Sequence, residues 1–231
     1  MQPLVHHFDD ADGVAVGAAR AVVQRINELF ESQQQVNLVV TGGTVGILTL
    51  AKLRELSLDW SRVQIWWGDE RFVEKASGDR NEVQAKEALL DHIEIPVTNL
   101  HPFPASDEGL SLDAAALAFR SEVSGVSFDI LLLGIGPDGH IASLFPGRNA
   151  AGELVIAEHD SPKPPPERLS LSYAAINSAR EVWFTVAGAD KASAVATAFG
   201  DNRESLPVGR VRGTEKTLWF VDASAGASLI G

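Results

Sequence analysis

Apolar residues recur along this chain in two rhythms, and the rhythms alternate. Between Asp12 and Glu31, Val14, Ala18, Val22, Ile26, Leu29 and Phe30 lie mostly three or four residues apart. That spacing lays one apolar stripe along a helix and predicts an element that buries a single face. Val36–Val40 and Val63–Trp67 are instead short, compact apolar runs, as expected of strands covered on both sides of a sheet. The first ends in Thr41-Gly42-Gly43-Thr44, the second in Gly68-Asp69-Glu70-Arg71. Phe128–Leu133 is the clearest strand and runs into Gly134-Ile135-Gly136-Pro137-Asp138-Gly139-His140. Further strands are expected near 5–8, 181–187 and 217–222, with helices over 45–56, 81–91, 108–122 and 190–199.

Strands alternating with helices predict an α/β fold, an open and mostly parallel sheet with helices on both faces. In such sheets ligands bind beyond the carboxyl ends of the strands. The turns at 41–44, 68–71 and 134–140 all fall at that edge, and their convergence is the main functional signal. No internal repeat or linker divides the chain, so residues 1–231 are expected to form one domain. The one break in composition is the Pro-rich stretch 158–167, which cannot be a helix interior or a central strand. It reads either as a surface connection or as a loop bordering a site.

Composition narrows the function. With 19 Lys+Arg against 31 Asp+Glu the net charge is −12, which argues against nucleic acid or an anionic membrane as partner. No apolar run reaches the roughly 18 residues of a membrane span, and the amino terminus lacks the layout of a secretion signal. The absence of Cys excludes a disulfide frame, a thiolate nucleophile and a Cys-zinc site, and leaves the cytoplasm as the default location. Monomer and weak homodimer are both open.

Each turn carries candidate chemistry. A strand feeding Gly42-Gly43 and then a helix can aim several backbone N–H groups at one anion, and the helix dipole favours a phosphate there. The same glycines could serve only the tightness of the turn. A dinucleotide fingerprint fits poorly, because its first glycine falls at Thr41, and no Walker pattern occurs. Asp69 and Arg71 could face an anionic, polar substrate, or form a surface ion pair of little consequence. His140 closes a Gly/Pro-constrained turn two residues after Asp138; an imidazole there could take a proton from water, with a carboxylate fixing its tautomer. The other five His show no metal-ligand spacing, and no G-x-S-x-G elbow is present. Arg168 and Lys191 are further cations that could concentrate positive charge for a phosphate in an acidic protein.

Together these blocks resemble the 6-phosphogluconolactonases of the sugar-phosphate isomerase-like superfamily, which includes glucosamine-6-phosphate deaminase. The resemblance rests on Thr41–Thr44, on W-G-D-E-R-F-V from Trp67 with Asn81, on G-I-G-P-D-G-H-I-A-S-L-F-P-G from Gly134, and on Arg168 and Gly188/Lys191. It implies a three-layer Rossmann-like fold and hydrolysis of 6-phospho-D-glucono-1,5-lactone without a required metal or other cofactor. It further implies that Thr41, Gly42, Gly43, Thr44, Arg168 and Lys191 hold the phosphate. His140 then activates water with support from Asp138, and Asp69, Arg71, Asn81 and Gly136 line the rest of the site. The deaminases continue past D-G-H-I-A with a functional Glu; here Ser143-Leu144-Phe145-Pro146 has no carboxylate, which favours lactone hydrolysis. Arg80 departs from the family pattern, where a small hydroxyl residue is expected before Asn81. A deaminase-like isomerase and a non-catalytic sugar-phosphate sensor are the alternatives; a sensor would be expected to carry a further partner or DNA-binding domain.

Overall fold

A computed structural model describes residues 2–148 and 153–229. Seven parallel strands form the main sheet in the order β1 (Leu4–Phe8), β10 (Lys216–Asp222), β9 (Glu181–Val186), β6 (Ile130–Leu133), β2 (Val36–Val40), β3 (Val63–Trp67) and β5 (Leu100–His101). From β2 the chain moves outward through β3 to β5, then returns to place β6 on the other side of β2. That reversal opens a crevice between the carboxyl ends of β2 and β6, where α/β sheets bind ligands.

The strand register sorts the core into two layers. Val39 pairs with Trp66 and Leu131, and Leu133 with Phe184, which is adjacent to Trp219. This face meets α4 (Leu112–Val123) through Phe119 against Trp66, and α6 (Ala192–Phe199) through Phe199 against Trp219. The opposite face carries Trp183 and Phe220 and is covered by α1 (Ala11–Phe30) and its neighbour α2 (Gly43–Leu53). Glu181 on that face is held by Arg25 of α1 at 2.7 Å. The apolar side chains of both layers are almost wholly removed from water. Each large one contributes roughly 1.5–3 kcal/mol toward folding.

Several boundaries shift from the pattern, each for a local reason. The helix expected at 108 begins at Leu112, because Ser111 accepts a bond from the Ala114 amide and caps it there. The helix expected at 45 begins at Gly43, inside the glycine turn. That at 81–91 stops as α3 (Asn81–Ala88) and passes into a single 3₁₀ turn, Leu90–His92. Phe128–Leu133 pairs only from Ile130.

A larger correction concerns Gly68–Arg71, expected to be a turn. Gly68 is followed at once by β4 (Asp69–Arg71), which pairs antiparallel with β8 (Arg168–Leu171); β7 (Val155–Glu158) completes a second, three-stranded sheet. The short helix α5 (Tyr173–Ser178) then leads from β8 toward β9. The second sheet faces the crevice and carries Asp69, Arg71 and Arg168 to it. Among the described residues no helix is long and apolar enough to cross a membrane.

Candidate active site

A cavity of about 610 Å³ opens over the crevice, within the range usual for small-molecule sites. Thr41, Gly42, Gly43, Thr44, Asp69, Arg71, Asn81, Gly136, His140, Arg168 and Lys191 all line it. Of the residues singled out in the sequence only Asp138 does not, and it reaches the cavity through His140.

The α2 turn forms one wall. No side chain caps the start of this helix, so its first amides and the positive end of its dipole face the cavity. Gly42 is required by its neighbour: a Cβ there would lie 2.0 Å from Asn81 Oδ1. Asn81 in turn accepts a bond from Arg71 and donates to the Asp69 carbonyl at 2.8 Å and the Asp69 carboxylate at 3.2 Å. Asp69 is further held by the Ser143 hydroxyl at 2.7 Å, and the Ser143 amide donates to Ser170 Oγ of β8. Asp69 and Arg71 of β4 and Asn81 at the start of α3 therefore form one bonded group at the end of the cavity nearest β4.

The turn after β6 forms the second wall. His140 Nδ1 lies 2.5 Å from Asp138 Oδ1, and the His140 amide also approaches that oxygen, at 3.3 Å. The Asp–His pairing that spacing alone left open is thus made. The turn is closed by the Gly136 amide on the His140 carbonyl, and a Cβ on Gly136 would sit 1.9 Å from the imidazole. Burial pushes the His140 pKa below its usual value, opposed by the bond and charge of Asp138. Burial alone would raise the Asp138 carboxyl, but the bond and charge of His140 outweigh it and hold the group below its usual range. Burial therefore favours the neutral imidazole, with one nitrogen engaged by Asp138.

Cations collect on the remaining side. Lys191 follows the Gly188 turn and pairs with Asp190 at 2.7 Å. Arg168 is buried and spends part of its guanidinium on the Pro-rich loop: Nε donates to the Pro165 carbonyl, and one terminal nitrogen to those of Lys163 and Pro164. The loop thereby borders the cavity, which Lys163 and Pro164 line. Partial desolvation, together with the charges of Lys191 and Arg168, pushes the Lys163 ammonium below its usual pKa, with Asp138 opposing. Pattern reasoning missed Lys163; the only signal was the loop that carries it. It also missed Ser143, and Thr185 with its buried hydroxyl unpartnered at the cavity floor. Among the described residues no cluster of three or more His, Asp or Glu could hold a metal ion.

A doubly covered parallel sheet whose strand ends pool amides, cations and an Asp–His pair around one cavity defines an α/β protein built for a small anionic ligand. The family model for glucosamine-6-phosphate isomerases/6-phosphogluconolactonase matches residues 9–219, and the chain belongs to that family. The 6-phosphogluconolactonase of Mycobacterium leprae is 42% identical over 247 aligned positions, covering 100% of both chains. Among solved structures, that of 6-phosphogluconolactonase from Thermotoga maritima is 28% identical with a TM-score of 0.86, covering 96% of this chain and 100% of that one. That of the Trypanosoma brucei 6-phosphogluconolactonase is 27% identical with a TM-score of 0.89, covering 99% of each.

Proposed function

We propose that this protein, as a single catalytic domain, hydrolyses 6-phospho-D-glucono-1,5-lactone to 6-phospho-D-gluconate, the second step of the oxidative pentose phosphate pathway. The observation that carries the mechanism is the bond between His140 and Asp138 on the same cavity as Arg168, Lys191, Lys163 and the open start of α2. The phosphate is held by those cations and by the amides of Gly42–Thr44, while Asp69, Arg71 and Asn81 meet the sugar hydroxyls. Anchoring at the phosphate fixes the lactone carbonyl near the imidazole.

His140 takes a proton from water as its oxygen bonds to C1, and the carbonyl electrons move onto oxygen. The cavity's cations stabilise that oxyanion. Its collapse breaks the bond from C1 to the ring oxygen, which leaves with the proton from His140, and the new acid ionises to the carboxylate. These steps use water and the chain's own side chains.

The test follows acid release from freshly made lactone by wild type and His140→Ala. General-base catalysis is worth about 10²–10⁴-fold, and kcat should fall by that order with the fold intact. Turnover of the variant near wild type, above spontaneous hydrolysis, would refute the role. Arg168→Ala and Lys191→Ala should chiefly raise KM; unchanged values for both would remove them from the phosphate site. Deaminase-like chemistry is disfavoured because 143–146 has no carboxylate, and ammonia release from glucosamine 6-phosphate would reverse that reading.

A further inference from the structure

Strand β4 turns Asp69 and Arg71 to the cavity, and strand alternation sends Glu70 the other way. Glu70 is 1% exposed, yet its carboxylate is fully used. Oε1 accepts from the amides of Asn81 at 2.6 Å and Arg71 at 2.9 Å, and Oε2 from the amide of Glu82 at 2.9 Å. Glu70 is thus the cap of α3, whose own N-cap residue, Arg80, makes no side-chain cap bond. The Arg80 guanidinium is also 1% exposed. It lies 3.8 Å from Glu70 Oε2 and 3.1 Å from Glu82 Oε2, and donates to the Phe103 carbonyl at 2.7 Å. Glu82 is shared with Lys86 at 2.7 Å. One buried cation therefore sits between two carboxylates, directly behind the residue that ties Asp69 to Arg71.

We propose that Arg80 is a positioning residue for the sugar end of the cavity: its buried guanidinium backs Glu70, Glu70 fixes the start of α3, and Asn81 fixes Asp69 and Arg71. The assignment rests on the function proposed above. Burial pushes the Glu70 carboxyl up to about 7, while Arg80 and the amides of Glu82, Asn81 and Arg71 pull it down. Charged groups near it are Arg80, the N-cap of α3, Glu82, which is itself paired with Lys86, and Arg168 from β8, with the Lys75–Glu108 pair close to Arg80. A fall in pH adds a proton to Glu70 and weakens its grip on the Asn81 and Glu82 amides; loss of Arg80 moves that event to higher pH.

The experiment measures KM and kcat for the lactone between pH 6 and 8 in wild type, Arg80→Met, Arg80→Lys and Glu70→Gln. Ionisation of the substrate phosphate and of His140 is common to all four, so differences between them isolate Glu70. At pH 7.5 the Arg80→Met KM should exceed wild type about tenfold, the scale of one charge-assisted hydrogen bond, with kcat changed much less. The two KM values should converge toward pH 6. Glu70→Gln should have a raised KM that lacks this pH dependence, and Arg80→Lys should keep a profile close to wild type. Unchanged KM in folded Arg80→Met, or a wild-type pH profile in Glu70→Gln, would overturn the proposal; the latter holds even where Arg80→Met does not fold. Absence of turnover in wild type would count against the proposed function alone. In that case amide-exchange protection of Asn81 and Glu82 decides: it should fall as pH is lowered through about 7 in wild type and be flat in Glu70→Gln.

Discussion

His140, the proposed base, shows how surroundings act on the charge of one side chain. Burial disfavours the imidazolium, and Asp138 supports it, with burial the stronger influence. Because the folded-state pKa is depressed, the stability this group contributes is present above the unfolded value and is lost as pH falls through the folded one. The acid limb of kcat, which Glu70 changes much less than KM, should therefore inflect below the ordinary imidazole value of about 6.5. Asp138→Asn removes the group that raises the His140 pKa, so the limb should move further to acid while kcat falls. A limb that moves toward neutrality, followed by initial rates across pH, would contradict the assigned partnership. The histidine and its aspartate could be read from sequence because one short, constrained turn holds both. Lys163 could not, since nothing near it in the chain names the cavity it faces.

At the scale of elements, two features meet at the end of the cavity proposed to hold the phosphate. Helix α2 starts on glycines with no side-chain cap, leaving its dipole and amides for a ligand. Opposite it, Arg168 gathers the carbonyls of Lys163, Pro164 and Pro165, so the residue assigned to phosphate also sets the course of the loop that carries Lys163. Lys163→Met removes one charge-assisted contact of roughly 1.5–3 kcal/mol, so KM should rise by about 10- to 100-fold. A KM within twofold of wild type in steady-state assays would take Lys163 out of the site. The helices and long strands were legible because their apolar period is local. The sheet of β4, β7 and β8 was not, because strands of three or four residues carry no readable period and β4 finds its partner β8 about a hundred positions away.

The whole molecule carries a net charge of −12 and so repels anions, while its cavity draws together Arg71, Lys163, Arg168 and Lys191. A phosphorylated ligand should accordingly stabilise the fold by mass action. At a hundredfold excess over Kd, 6-phosphogluconate should add about 2.7 kcal/mol, which for a chain of this size raises Tm by roughly 5–10 °C. Gluconate at the same concentration should produce little change by thermal melting; an equal shift from both would place the binding energy elsewhere than at the phosphate. By itself the sequence determined the alternation of strands and helices, the strand-end location of the cavity and most of the residues proposed to act there, since periodicity and glycine-rich turns are properties of neighbouring positions. Only the tertiary structure decided that Asn81 ties Asp69 to Arg71 against Gly42, that Arg80 stands behind them, and that the Pro-rich loop reaches the cavity. Those contacts join segments far apart in the chain, and their geometry exists only once the two sheets have packed.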